Sequence, residues 1–126
     1  MRTANWSAGL AACAAALAAA VALAQPPGDP AKGADVYDDH CSECHVTQGV
    51  GQGPSLVGVV GRRAGAVPGF AYTAALKSSG VTWTPAELNL WLQGPGKLVP
   101  GTAMLETVSN PAQRRDLIAY LATLKR

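Results

Sequence analysis

The chain begins with a nearly unbroken run of small apolar residues, Ala8 to Ala24, and no comparable run follows. Beyond it, apolar and small residues return at helical spacing in three places. Gly33, Tyr37, Cys41 and Cys44 follow one another at intervals of four, four and three, which places them on one helix face. Leu88, Trp91 and Leu92 share a face of a second helix, and Leu117, Ile118, Leu121 and Leu124 a face of the last. Start signals stand ahead of each. Asp29-Pro30 offers an N-cap with proline at the first helical position. Thr84-Pro85-Ala86-Glu87 adds a capping-box glutamate, and Asn110-Pro111 with Gln113 repeats the pattern. The second helix is expected to stop at Gly94-Pro95, and Lys125-Arg126 suit the C-terminus of the last. Tyr72 to Ser79 fits a shorter helix ended by Gly80.

Between the first helix and that short one, periodicity disappears. Gln48 to Gly69 contains Gly49, Gly51, Gly53, Gly58, Gly61, Gly65 and Gly69 and reads as loop. It has neither a preceding strand nor the Lys-Ser/Thr ending of a phosphate-binding loop. No strand pattern of useful length occurs anywhere. The expected fold class is all-α: four or so short helices joined by long loops. A domain this small should not carry so much loop unless something else fills its core.

The apolar run is expected to be removed rather than folded. Arg2, the run itself and Ala22-Leu23-Ala24 describe a secretory signal peptide cleaved after Ala24. The domain division is therefore residues 1–24 as signal and 25–126 as one domain. The alternatives are an uncleaved anchor, for which 17 mostly alanine residues are short, and a lipoprotein signal ending at Cys13. Cleavage removes Arg2 and no acid, leaving nine basic and eight acidic residues. That near-neutral balance gives no reason to expect nucleic acid or an anionic membrane surface as partner.

The same cleavage leaves two cysteines, and both belong to Cys41-Ser42-Glu43-Cys44-His45. This pattern reads as a covalent haem attachment site. Thiols about one helical turn apart face the same way and suit thioether bonds to two vinyl groups on one haem edge. His45 is placed to reach the iron from one face. A methionine thioether could close the other, and Met104 is the one methionine besides the initiator. A redox dithiol would want a strand–helix setting. Zinc would need two more ligands, where the mature chain adds only His40. A haem also answers the question of the loops, because a large apolar plate stands in for core. His40 is expected to be solvated or to cap its helix, Trp91 to pack in the core, and Arg114 and Arg115 to lie on a solvated helix face.

Further segments, in order, resemble those of class I cytochromes c. They are Gly53-Pro54-Ser55-Leu56, Gly61-Arg62-Arg63, Pro68-Gly69-Phe70-Ala71-Tyr72-Thr73, Gly80-Val81-Thr82-Trp83, Val99-Pro100-Gly101-Thr102-Ala103-Met104 and Asp116-Leu117-Ile118-Ala119-Tyr120-Leu121. The resemblance spans about Gly33 to Tyr120. It implies the cytochrome c fold around one haem c, thioethers at Cys41 and Cys44, and axial ligation by His45 and Met104. It also implies a hydrogen bond from the His45 ring to the Pro54 carbonyl. Tyr72 and Trp83 would bond a haem propionate with Arg62 nearby, and Gly33 and Tyr37 would pack on the last helix near Leu117 and Tyr120. Three positions depart from the family pattern: Leu76 stands where many relatives have Asn, Trp91 where many have Tyr, and Glu106 near a common aromatic position. Lysines are also scarce.

The function these readings lead to is one-electron transport, not catalysis. Filled axial positions leave no site for a substrate. The expected protein is a monomeric periplasmic shuttle between a redox-protein donor and acceptor, with no stable membrane insertion after cleavage. The alternatives are a dedicated subunit of one dehydrogenase or oxidase, and a haem peroxidase or gas-binding protein, which would need an open sixth position.

Overall fold

The computed structural model describes residues 27–49 and 51–125. The expected signal peptide and its cleavage point lie outside the described residues. Five helices follow one another: α1 (Pro30–His40), α2 (Ala74–Ser78), α3 (Pro85–Gln93), α4 (Pro95–Leu98) and α5 (Pro111–Thr123). The all-α expectation holds. Among the described residues, extended pairing amounts to one isolated antiparallel bridge, Arg63 with Thr82.

The start signals act as read. The Asp29 side chain accepts from Ala31 N, Thr84 from Glu87 N, and Asn110 from Ala112 N and Gln113 N. Each satisfies amide groups that have no partner within the first helical turn. α2 begins later than expected, because Thr73 caps it by accepting from Leu76 N. α3 stops at Gln93 with Gly94 as its C-cap, as expected, and Pro95 then opens a further short helix, α4, at a position where the missing N–H costs no hydrogen bond.

α1 and α5 lie against each other and make the most extensive helix–helix contact among the described residues. Gly33 makes this possible. A Cβ there would collide with the Asp116 carbonyl and stand 2.7 Å from Tyr120 Cβ. Asp29 N donates to Asp116 Oδ1 at 2.8 Å, and the Tyr37 and Tyr120 rings meet at 5.3 Å. Val36, Tyr37, Leu117 and Leu121 are buried in this contact, and the core continues through Leu88, Trp91 and Leu92 of α3.

Arg114 departs from its expected place. It is buried, not solvated. Its Nε donates to Asn89 Oδ1 at 2.9 Å, and one terminal nitrogen donates to the Val108 and Ser109 carbonyls at 2.8 Å each. It thus ties α5 to α3 and to the chain entering α5. Among the described residues no helix is long and apolar enough to cross a membrane.

Candidate haem site

α1 delivers the cysteine pair. Cys41 caps the helix with its N–H on Tyr37 O, and the next turn is kept tight by Cys44 N and His45 N, both donating to Cys41 O, at 3.1 and 2.8 Å. Cys41 is buried, Cys44 is exposed, and both are free thiols. Burial pushes the Cys41 thiol up to about 11, with the Glu106 and Cys44 charges adding to it. Without its haem, therefore, Cys41 stays a protonated thiol at neutral pH, a form slow in disulfide exchange.

His45 is held from two directions. The buried Tyr37 hydroxyl donates to the His45 carbonyl. The His45 ring bonds through Nδ1 to Pro54 O at 2.8 Å. Since a carbonyl only accepts, the proton sits on Nδ1 and Nε2 keeps its lone pair for a metal. Burial lowers the pKa of the ring and the Arg62 charge assists, against the opposing pull of the Pro54 bond. The imidazole is therefore neutral at neutral pH, as a ligand must be. Gly53 gives the ring its room, since a Cβ there would lie 2.5 Å from His45 Cε1.

The glycine-dense stretch thus divides in two. Gly53 allows a close approach to the His45 ring. Gly49, Gly58, Gly61, Gly65 and Gly69 instead turn the chain, with φ between 74° and 86°. Arg62 is anchored within the same loop, donating to Val57 O at 2.9 Å and Ser55 O at 2.8 Å.

Met104 arrives from the irregular chain between α4 and α5. The turn before it is closed by Thr102 N on Val99 O at 3.1 Å. Its sulfur accepts the Trp91 indole N–H at 3.2 Å. Trp91 is core, as expected, and it also uses its polar atom, from the position where many relatives carry Tyr. Its ring meets Trp83 edge-on at 4.9 Å. Tyr72 packs edge-on against Phe70, and its hydroxyl accepts from Val67 N at 3.1 Å. His40 is neither a cap nor merely solvated: Nδ1 lies 2.7 Å from Glu106 Oε1.

The donor set fits a haem. It comprises a soft thioether, an imidazole with Nε2 open, and two thiols a turn apart on the same segment as that imidazole. It does not suit zinc, and among the described residues no three His, Cys, Asp or Glu side chains converge as a metal cluster. Two open surface grooves, of about 670 and 460 Å³, lie elsewhere and include none of these four residues.

The family profile described as Cytochrome c matches residues 30–125. The chain belongs to the cytochrome c family. It is 46% identical over 103 residues to cytochrome c2 of Rhodopila globiformis, covering 79% of this chain and 97% of that one. It is 45% identical over 106 residues to cytochrome c2 of Rhodomicrobium vannielii, covering 81% and 84%. Its fold superposes on cytochrome cH from Methylobacterium extorquens with a TM-score of 0.73 at 46% identity, covering 76% of this chain and 99% of that one. As a class I cytochrome c, the chain is a one-electron carrier and not an enzyme, and the family implies a haem c. Small cytochromes c shuttle electrons between redox partners.

Proposed function

We propose that this cytochrome is an exported carrier of a single haem c, with thioether bonds at Cys41 and Cys44 and with His45 and Met104 as axial ligands. The observation that carries the reading is the bond from His45 Nδ1 to Pro54 O, which fixes the tautomer and leaves Nε2 as the donor atom. When bound, the haem supplies an iron that alternates between ferric and ferrous. The residues around it do the rest. Cys41 and Cys44 would hold the haem at the end of α1. His45 holds its orientation through the Pro54 carbonyl and the Tyr37 hydroxyl. Met104 presents a soft sulfur, which favours the ferrous state and a positive potential. Trp83, Trp91 and Leu92 keep water from the interior.

The same reading takes residues 1–24 as a signal peptide cleaved after Ala24 and the periplasm as the working compartment. The partners are a redox-protein donor and a redox-protein acceptor. Denaturing gels of the purified protein should retain haem stain, and intact mass should equal residues 25–126 plus one haem. A weak ferric band at the red end of the visible spectrum should report sulfur–iron bonding and vanish in Met104→Ala. Haem extracted by acid-acetone, or a red band that survives the substitution, overturns the assignment.

A further inference from the structure

α1 ends on His40, immediately before Cys41, and Glu106 stands two residues after Met104. They are 66 positions apart in the chain, yet His40 Nδ1 and Glu106 Oε1 are 2.7 Å apart. The two side chains are partly open to solvent, at 31% and 52% exposure. The contact needs no particular charge state, because a neutral imidazole protonated on Nδ1 and an imidazolium both donate to a carboxylate. Glu106 also lies close enough to Cys41 for its charge to help raise that thiol's pKa.

The chain that Glu106 belongs to has little else to hold it. Among the described residues, 103–107 make no backbone–backbone hydrogen bond. The nearest are Thr102 N on Val99 O before the segment and Val108 N on Leu92 O after it. Ala103, Leu105, Glu106 and Thr107 are exposed, Leu105 at 82%. Two side-chain contacts grip the segment between those ends. Trp91 takes the Met104 sulfur from the α3 side, and His40 takes Glu106 from the α1 side.

We propose that His40 and Glu106 act as a positioning pair, a strap that fastens the Met104 segment to the end of the attachment helix and slows its departure from the iron. A strap fixed beside Cys41 joins the Cys41–His45 segment to the Met104 segment. It acts through Met104 and touches neither iron nor substrate. The claim rests on the proposed ligation by Met104.

The test times the loss of the red ferric band when imidazole is added to the holoprotein. It compares wild type, Glu106→Ala, His40→Ala and the double variant. The limiting rate should rise roughly two- to fivefold in each single variant, the range that one partly exposed hydrogen-bonded pair supports. The double variant should be no faster than the faster single one, because either change already breaks the contact. Thermal unfolding should stay within a few degrees of wild type, and amide exchange at residues 105–107 should quicken in Glu106→Ala. Wild-type rates in the variants, or single effects that multiply in the double variant, overturn the strap alone. A wild-type protein without the red band overturns the ligand assignment and the strap together.

Discussion

On the His45 side the chain is held by packed helices, and on the Met104 side by individual side chains. α1 meets α5 through Gly33 at backbone distance, two tyrosine rings close the contact, and His45 is the fifth residue past the end of that helix. Met104 sits in irregular chain whose grips are an indole N–H and a histidine–glutamate pair. Backbone packing fails only when the domain opens, whereas a side-chain grip can release locally at small cost. The proposed histidine ligand is therefore permanent and the proposed methionine ligand is the exchangeable one. Fast electron transfer wants neither to move, so the weaker side depends on a few specific contacts.

The largest test breaks the strong side. Gly33→Val forces a branched side chain into the Asp116 carbonyl, and helices that touch through backbone cannot yield without losing Leu117 and Leu121 from the core. The loss of unfolding free energy in denaturant should be about 3 kcal/mol or more, the upper range for overpacking. A loss below about 1 kcal/mol would mean that α1 and α5 slide apart freely and that the comparison drawn above is wrong.

Next comes Arg114, which joins the two sides. Arg114→Ala leaves the Val108 and Ser109 carbonyls and Asn89 Oδ1 without their donor, and should cost about 2–3 kcal/mol. Arg115→Ala, on the same helix but less buried, should cost less. Equal losses in parallel unfolding curves would show that Arg114 is an ordinary surface residue after all.

These two positions also mark how far the sequence could be read. Caps and start signals are local, so Asp29, Thr84 and Asn110 announce their helices within four residues. The attachment motif is contiguous and equally plain. Gly94-Pro95 announced the end of α3 but not the helix that follows, because α4 is too short to show a period. Arg114 was unreadable for a nonlocal reason. Two arginines on a helix are ordinarily solvated, and only the fold brings Asn89 and two loop carbonyls to one of them. The His40–Glu106 contact was hidden likewise, by a chain separation of 66.

A smaller change sharpens the comparison on the weak side. Trp91→Phe keeps an aromatic ring in the core but removes the N–H that Met104 sulfur accepts. One net hydrogen bond amounts to about 1 kcal/mol, so imidazole should displace the methionine several times more readily. Removing the donor returns electron density to the sulfur and favours ferric iron, so the midpoint potential should fall in a redox titration. An unchanged potential would mean that the indole merely fills space.

The corresponding single bond on the strong side is the Tyr37 hydroxyl on the His45 carbonyl, and Tyr37→Phe should behave in the opposite way. It should lower unfolding free energy by about 1 kcal/mol at neutral pH and leave imidazole displacement unchanged, because His45 keeps its helix and its Pro54 bond. Its pH dependence has a definite sign. Burial raises the Tyr37 pKa above 10, with the charges of Tyr120 and Asp38 adding to it. A phenol whose folded pKa exceeds its unfolded value contributes stability that is whole below about pH 10 and is lost as pH rises through the folded value. Wild type should therefore exceed Tyr37→Phe steadily from neutral pH to about 10, and the gap should close above it as the unfolded chain releases its proton first. Denaturant unfolding of both proteins at stepped pH measures that gap directly. A gap that stays constant well past pH 10 would mean that the Tyr37 hydroxyl is not buried as a donor, and that His45 owes its position to Pro54 and the helix end alone.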